Sequence, residues 1–142
     1  MPPPKRPITR TGRGPPISRS TGSDRRHGLV ASFGYAFEGC RSAWISQRNF
    51  RIHVVLTAAA LAGGALLRLP AAAWAVLVLA IGLVLVAELL NTAIEAAVDL
   101  ASPAEHPLAK RAKDIAAAAV VVAAASALLA GACIVVWAVR RT

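Results

Sequence analysis

Hydrophobic and polar positions divide this chain into a polar tail, one mixed stretch and three long apolar stretches. Residues 1–28 hold mostly Pro, Arg, Gly and Ser, with too little apolar surface to fold alone, and so predict a disordered basic tail. From 29 to about 47, Leu29, Phe33, Phe37, Cys40, Trp44 and Ile45 recur at steps of three and four, apart from the adjacent last pair, with Ser32, Glu38, Arg41 and Ser42 between them. That spacing predicts an amphipathic helix lying on a membrane surface, with Trp44 at the headgroup level. Residues 48–53, RNFRIH, read as a short polar hinge. Apolar spans are expected over about 50–67, 72–100 and 113–139. The first is short for a crossing that needs about 20 residues. Its Ala and Gly content lets helix backbones approach closely in lipid. Arg68 and Pro70 end it, and the short connection makes the next helix antiparallel. Pro103 and Pro107 break the second span from the third.

Composition fits this pattern. Of the 142 residues, 56% are hydrophobic and 5% aromatic, too apolar for an ordinary soluble domain of this length. The fold class expected is an all-α integral membrane protein, a surface helix plus three transmembrane helices, in one domain over residues 29–142. The net charge of +9 is concentrated in the first fifty residues. It reads as a membrane-orienting signal and not as a nucleic-acid arm. Three spans place the tail and the basic loop after the second span on one side, expected to be cytoplasmic. Cys40 and Cys133 have no metal-ligand spacing and read as free thiols.

The candidate chemistry sits at the polar end of the second span. Glu88, Asn91, Glu95 and Asp99 follow at steps of three, four and four, and share a helical arc of roughly 80°. An acid at mid-bilayer costs about 2.5–3.5 kcal/mol on insertion scales, so several on one face need a reason. The topology brings Gln47, Asn49, Arg51, Lys113 and Asp114 to the same membrane face. Carboxylates beside a lysine suit magnesium and phosphate, and a carboxylate can take a proton from a hydroxyl. Helix pairing is the alternative role for these charges, but they outnumber the bases at hand. His53 and His106 stand alone at helix ends and read as caps or packing residues. No Walker loop and no soluble-kinase signature occurs in the sequence.

At these residues the sequence resembles the small prokaryotic diacylglycerol kinase family. The resemblance rests on AELLNTAIEAAVDL at 87–100, HPLAKRAKD at 106–114 and SFGYAFEGCRSAWISQRNFRIH at 32–53, and covers 29 to the C-terminus. It implies a homotrimer of three-span subunits in the bacterial cell membrane that moves the γ-phosphoryl of ATP to a lipid alcohol with Mg²⁺. Glu88 matches the general base and Glu95 a metal ligand. Asn91, Lys113 and Asp114 match active-site positions, and Asp99, Lys113, Asp114 and Arg51 surround nucleotide and phosphate. Trp44, Asn49 and Glu88 are expected at the lipid substrate. One departure is Gln47, where the family carries a second metal-binding glutamate; a neutral amide is a weaker Mg²⁺ ligand, unless Asp99, Glu38 or the nucleotide phosphates compensate. The wording of QRNFRIH and HPLAKRAKD resembles the Gram-positive branch, which implies undecaprenol as acceptor, with diacylglycerol as the alternative. A different class, a non-catalytic small transporter or assembly subunit, also accommodates intramembrane acids. It fits less well because the acids cluster at one face and do not line a path.

Overall fold

The computed structural model describes residues 28–141, which form four helices and no strand: α1 (Leu29–Ser46), α2 (Arg48–Leu66), α3 (Ala71–Ala101) and α4 (Pro107–Val139). The basic tail lies outside the described residues. Three helices, α2, α3 and α4, are long and apolar enough to cross a membrane. At 1.5 Å per residue, α2 is about 28 Å long, and α3 and α4 are about 46 and 50 Å. The last two exceed a hydrocarbon core of about 30 Å, so their polar ends stand clear of it. The all-α membrane architecture expected from the pattern is the one observed.

The polar hinge over 48–53 is not observed. Helix α2 begins at Arg48, and the break from α1 is the single residue Gln47, which is extended at φ −109, ψ 115. No glycine or proline interrupts RNFRIH, and Phe50 is buried one turn into the helix, so polarity alone does not stop helix propagation here. Helix α2 ends where the chain turns left-handed at Arg68 (φ 50). The Arg68 and Leu69 amides donate back to the Ala65 and Gly64 carbonyls, closing the helix end in a Schellman arrangement. At the start of α4, Pro107 occupies the first turn and His106 caps it, its Nδ1 accepting from the Leu108 amide at 3.2 Å.

Helix α3 is the spine. It packs along α4 most extensively and against α2 and α1 more sparingly, while α2 and α4 do not pack on one another. At the far end of the α2–α3 pair, Gly64 is buried, and a Cβ there would stand 3.0 Å from the Trp74 ring and 3.2 Å from Leu69 and Leu77. The missing side chain lets the two backbones approach. Gly64→Val overpacks this contact and is expected to cost about 1–3 kcal/mol, read as a lower Tm in detergent. At the same end of the molecule, Arg141 stacks over the Trp137 ring at 4.2 Å, as befits an interfacial anchor. In α1 one residue, Ala43, is buried, and the Leu29, Phe33 and Phe37 face is open to its surroundings, available to a bilayer.

Candidate active site

The polar stripe of α3 meets its partners at the end of the bundle where α1 joins α2 and α3 turns into α4. Glu95 holds the centre. Its Oε2 accepts from Gln47 Nε2 at 3.2 Å and its Oε1 from Asn91 Nδ2 at 3.0 Å. Because Gln47 is the one extended residue between two helices, its amide is free to cross to α3. Asn91 also leaves its Oδ1 buried without a hydrogen-bond partner among the described residues. A buried acceptor with nothing to accept is costly unless a ligand, ion or water fills it.

One helical turn past Glu95, Asp99 Oδ1 takes a hydrogen bond from Lys113 Nζ at 2.5 Å, joining α3 to α4 across the loop. Lys110 pairs with Asp114 at 2.6 Å within α4. Asp99, Lys113 and Lys110, with Glu105 and His106 of the loop, line a cavity of about 750 Å³. Its size and its mixture of two lysines with carboxylates suit a polyphosphate. The Lys113–Asp99 pair is 36% and 66% exposed, so it adds less than about 1 kcal/mol to the fold. Lys113→Met is therefore expected to leave Tm within a few degrees, checked by melting in detergent, so that any loss of activity in that variant belongs to the chemistry of the site and not to the fold.

Glu88 lies in the other direction along α3. It is 2% exposed and is the one buried charged residue among those described. Its backbone carbonyl accepts from Thr92 Oγ1, but its carboxylate receives no hydrogen bond among the described residues. An acceptor of this kind, at the inner edge of the polar band, can take the proton of an alcohol presented from the apolar side.

The structure thus brings together Gln47, Asn91 and Glu95, and separately Asp99 with Lys113 and Lys110 with Asp114. Neither Asp99 nor Glu38 joins Glu95, and among the described residues no three His, Cys, Asp or Glu side chains are placed to hold a metal. Arg51 lines a different groove, of about 410 Å³, with Arg48, Ile52, Val55 and Leu56. Trp44 and Asn49 are exposed on α1 and α2.

Fold and site together define an integral membrane protein with one polar centre at one end of an apolar bundle. The prokaryotic diacylglycerol kinase family matches residues 34–135. The chain is 43% identical to a diacylglycerol kinase of Synechocystis sp. over 109 residues, 76% of this chain and 62% of that relative. It is 44% identical to the undecaprenol kinase of Bacillus subtilis over 86 residues, 61% of this chain and 70% of that protein. It is 35% identical to the diacylglycerol kinase of Escherichia coli over 110 residues, 78% of this chain and 89% of that enzyme. The chain belongs to the prokaryotic diacylglycerol kinase family.

Proposed function

We propose that this chain is an ATP-dependent lipid kinase that transfers the γ-phosphoryl group to the hydroxyl of undecaprenol, working as a homotrimer in the cell membrane with its N-terminus cytoplasmic. The observation that carries the reading is the buried Glu88, whose carboxylate receives no hydrogen bond among the described residues, on the same helix as Asp99 of the lysine- and carboxylate-lined cavity. A lipid alcohol reaches the first from the bilayer, and a nucleotide reaches the second from water. In this reading Glu88 accepts the hydroxyl proton as the oxygen attacks the γ-phosphorus, and ADP leaves. Lys113, with Asp114 beside it, offsets charge on the phosphates. Trp44, Asn49 and Arg51 stand at the interface where the lipid enters, with Arg51 available to a phosphate.

The residues also fit a magnesium ion. Glu95 supplies a carboxylate and Asn91 an orphaned buried Oδ1, while Gln47, whose Nε2 now donates to Glu95, would offer its amide oxygen only by turning the amide over. Glu95 and Asn91 would hold the ion, and the chemistry it would supply when bound is neutralisation of phosphate charge. Gln47 makes this set poorer in charge by one carboxylate than a pair of glutamates.

Diacylglycerol is the second acceptor, favoured by the similarity to the Synechocystis and Escherichia coli proteins. Each lipid is offered alone in mixed micelles with labelled ATP. Label mainly on undecaprenol supports the first reading, and label mainly on diacylglycerol replaces it with the second. A non-catalytic carrier is separated by melting: ATP with Mg²⁺ raises the Tm of a kinase and leaves that of a simple carrier unchanged.

A further inference from the structure

Helix α2 presents two unlike stripes. Phe50, His53, Thr57, Ala60 and Gly64 recur at steps of three and four, and all are buried or half-buried. This stripe faces α3, since Gly64 stands against Trp74 and Leu77. Arg48, Arg51, Ile52, Val55 and Leu56 also recur at helical spacing, and all five are exposed. At about 100° per residue the two stripes point roughly 150° apart, so the second is turned away from α3 and its acids. It lines the groove of about 410 Å³, to which α1, α3 and α4 contribute no residue.

Polarity changes along the exposed stripe. Its two arginines stand at the start of α2, level with the polar band where Gln47 meets Glu95. Ile52, Val55 and Leu56 continue it toward the apolar length of the helix, and Leu56 lies about 12 Å along the axis from Arg48. Helix α2 contains no Asp or Glu. Neither guanidinium makes an ion pair or hydrogen bond among the described residues. Two such guanidiniums one turn apart match a phosphate, which arginine binds bidentately. The exposed aliphatic side chains below them match an acyl chain.

We propose that this groove binds an anionic phospholipid of the surrounding bilayer, its phosphate on Arg48 and Arg51 and one acyl chain along Ile52, Val55 and Leu56. Charge complementarity selects this occupant. A free phosphate leaves the aliphatic floor unused, and a neutral lipid leaves the arginines unused. A zwitterionic lipid brings a cation of its own to the pair. The groove faces away from Glu88 and Glu95, so the lipid held there is a neighbour of the enzyme and not the reacting alcohol. The site does not rest on the reading of Glu88 or of the acceptor. Arg48 is its diagnostic residue, because it has no part in the proposed phosphoryl transfer.

The test is native mass spectrometry of the full-length protein released from detergent micelles. Phosphatidylglycerol and phosphatidylcholine with the same acyl chains are titrated separately. Phosphatidylglycerol should bind about tenfold tighter than phosphatidylcholine. Arg48→Gln should reduce that preference by about fivefold, whereas Arg41→Gln, an equal loss of charge on α1, should leave it within about twofold. Leu56→Asn is the second variant: it touches the chain and not the headgroup, so it should weaken both lipids alike. Excess inorganic phosphate should not displace the bound lipid. Equal binding of the two lipids overturns the proposal. So does an equal effect of Arg48→Gln and Arg41→Gln, which would leave only the general surface charge. Displacement by inorganic phosphate would make the pair a bare anion site. An Arg48→Gln protein that changes its oligomeric state but keeps the headgroup preference would give the groove to a second copy of the chain, and it too overturns the lipid.

Discussion

Replacing Glu88 by glutamine abolishes turnover, with an expected loss of 10²–10⁴-fold or more, and leaves the folded protein as stable as before or more so. The activity loss follows from the proposed role of Glu88 as general base, since removal of such a base typically costs that much. An amide has the same shape but cannot accept the proton. The stability expectation follows from burial: Glu88 is 2% exposed and its carboxylate makes no hydrogen bond among the described residues, so a neutral isostere relieves a desolvation cost. Loss of activity together with a retained or raised Tm is the signature of a functional charge. Loss of both would mean that Glu88 holds the helices together.

Glu95→Gln is expected to raise the Mg²⁺ concentration for half-maximal activity by about tenfold or more, since substitutions even one shell from a metal cost 10–100-fold in affinity. Glu95 is the single carboxylate among the oxygens of the proposed metal site. The converse change is Gln47→Glu. It places a second carboxylate where an amide now donates to Glu95 at 3.2 Å. Without metal the two negative charges repel and Tm falls. With Mg²⁺ the pair becomes a stronger oxygen site, so the Mg²⁺ requirement drops and the metal-induced rise in Tm exceeds that of the wild type. A Mg²⁺ titration of activity and of melting on both variants checks the pair of expectations. An unchanged requirement in Glu95→Gln would remove Glu95 from the metal.

Much of the fold was legible because a bilayer imposes length and apolarity on each span, and three stretches of Ala, Val, Leu and Ile satisfy both. The polar stripe of α3 was legible for a related reason: three acids and an amide at helical spacing beside apolar sequence have few harmless explanations. The hinge at 48–53 was misread because polarity there marks the membrane interface, and α2 runs straight through it. Distances between helices were out of reach. Nothing in the sequence says that Gln47 reaches Glu95, that Lys113 takes Asp99 while Lys110 takes Asp114, or that Asn91 Oδ1 is left over.

The central claim is a phosphoryl transfer from nucleotide to lipid that depends on Glu88. The direct measurement is the transfer of label from γ-labelled ATP into the lipid fraction by the purified protein in mixed micelles, with Mg²⁺ present or chelated and with Glu88→Gln run in parallel. Label that appears in lipid with Mg²⁺, vanishes on chelation and is missing in Glu88→Gln is the result expected. A folded protein that labels no lipid, or a Glu88→Gln variant that labels lipid as fast as the wild type, would contradict it.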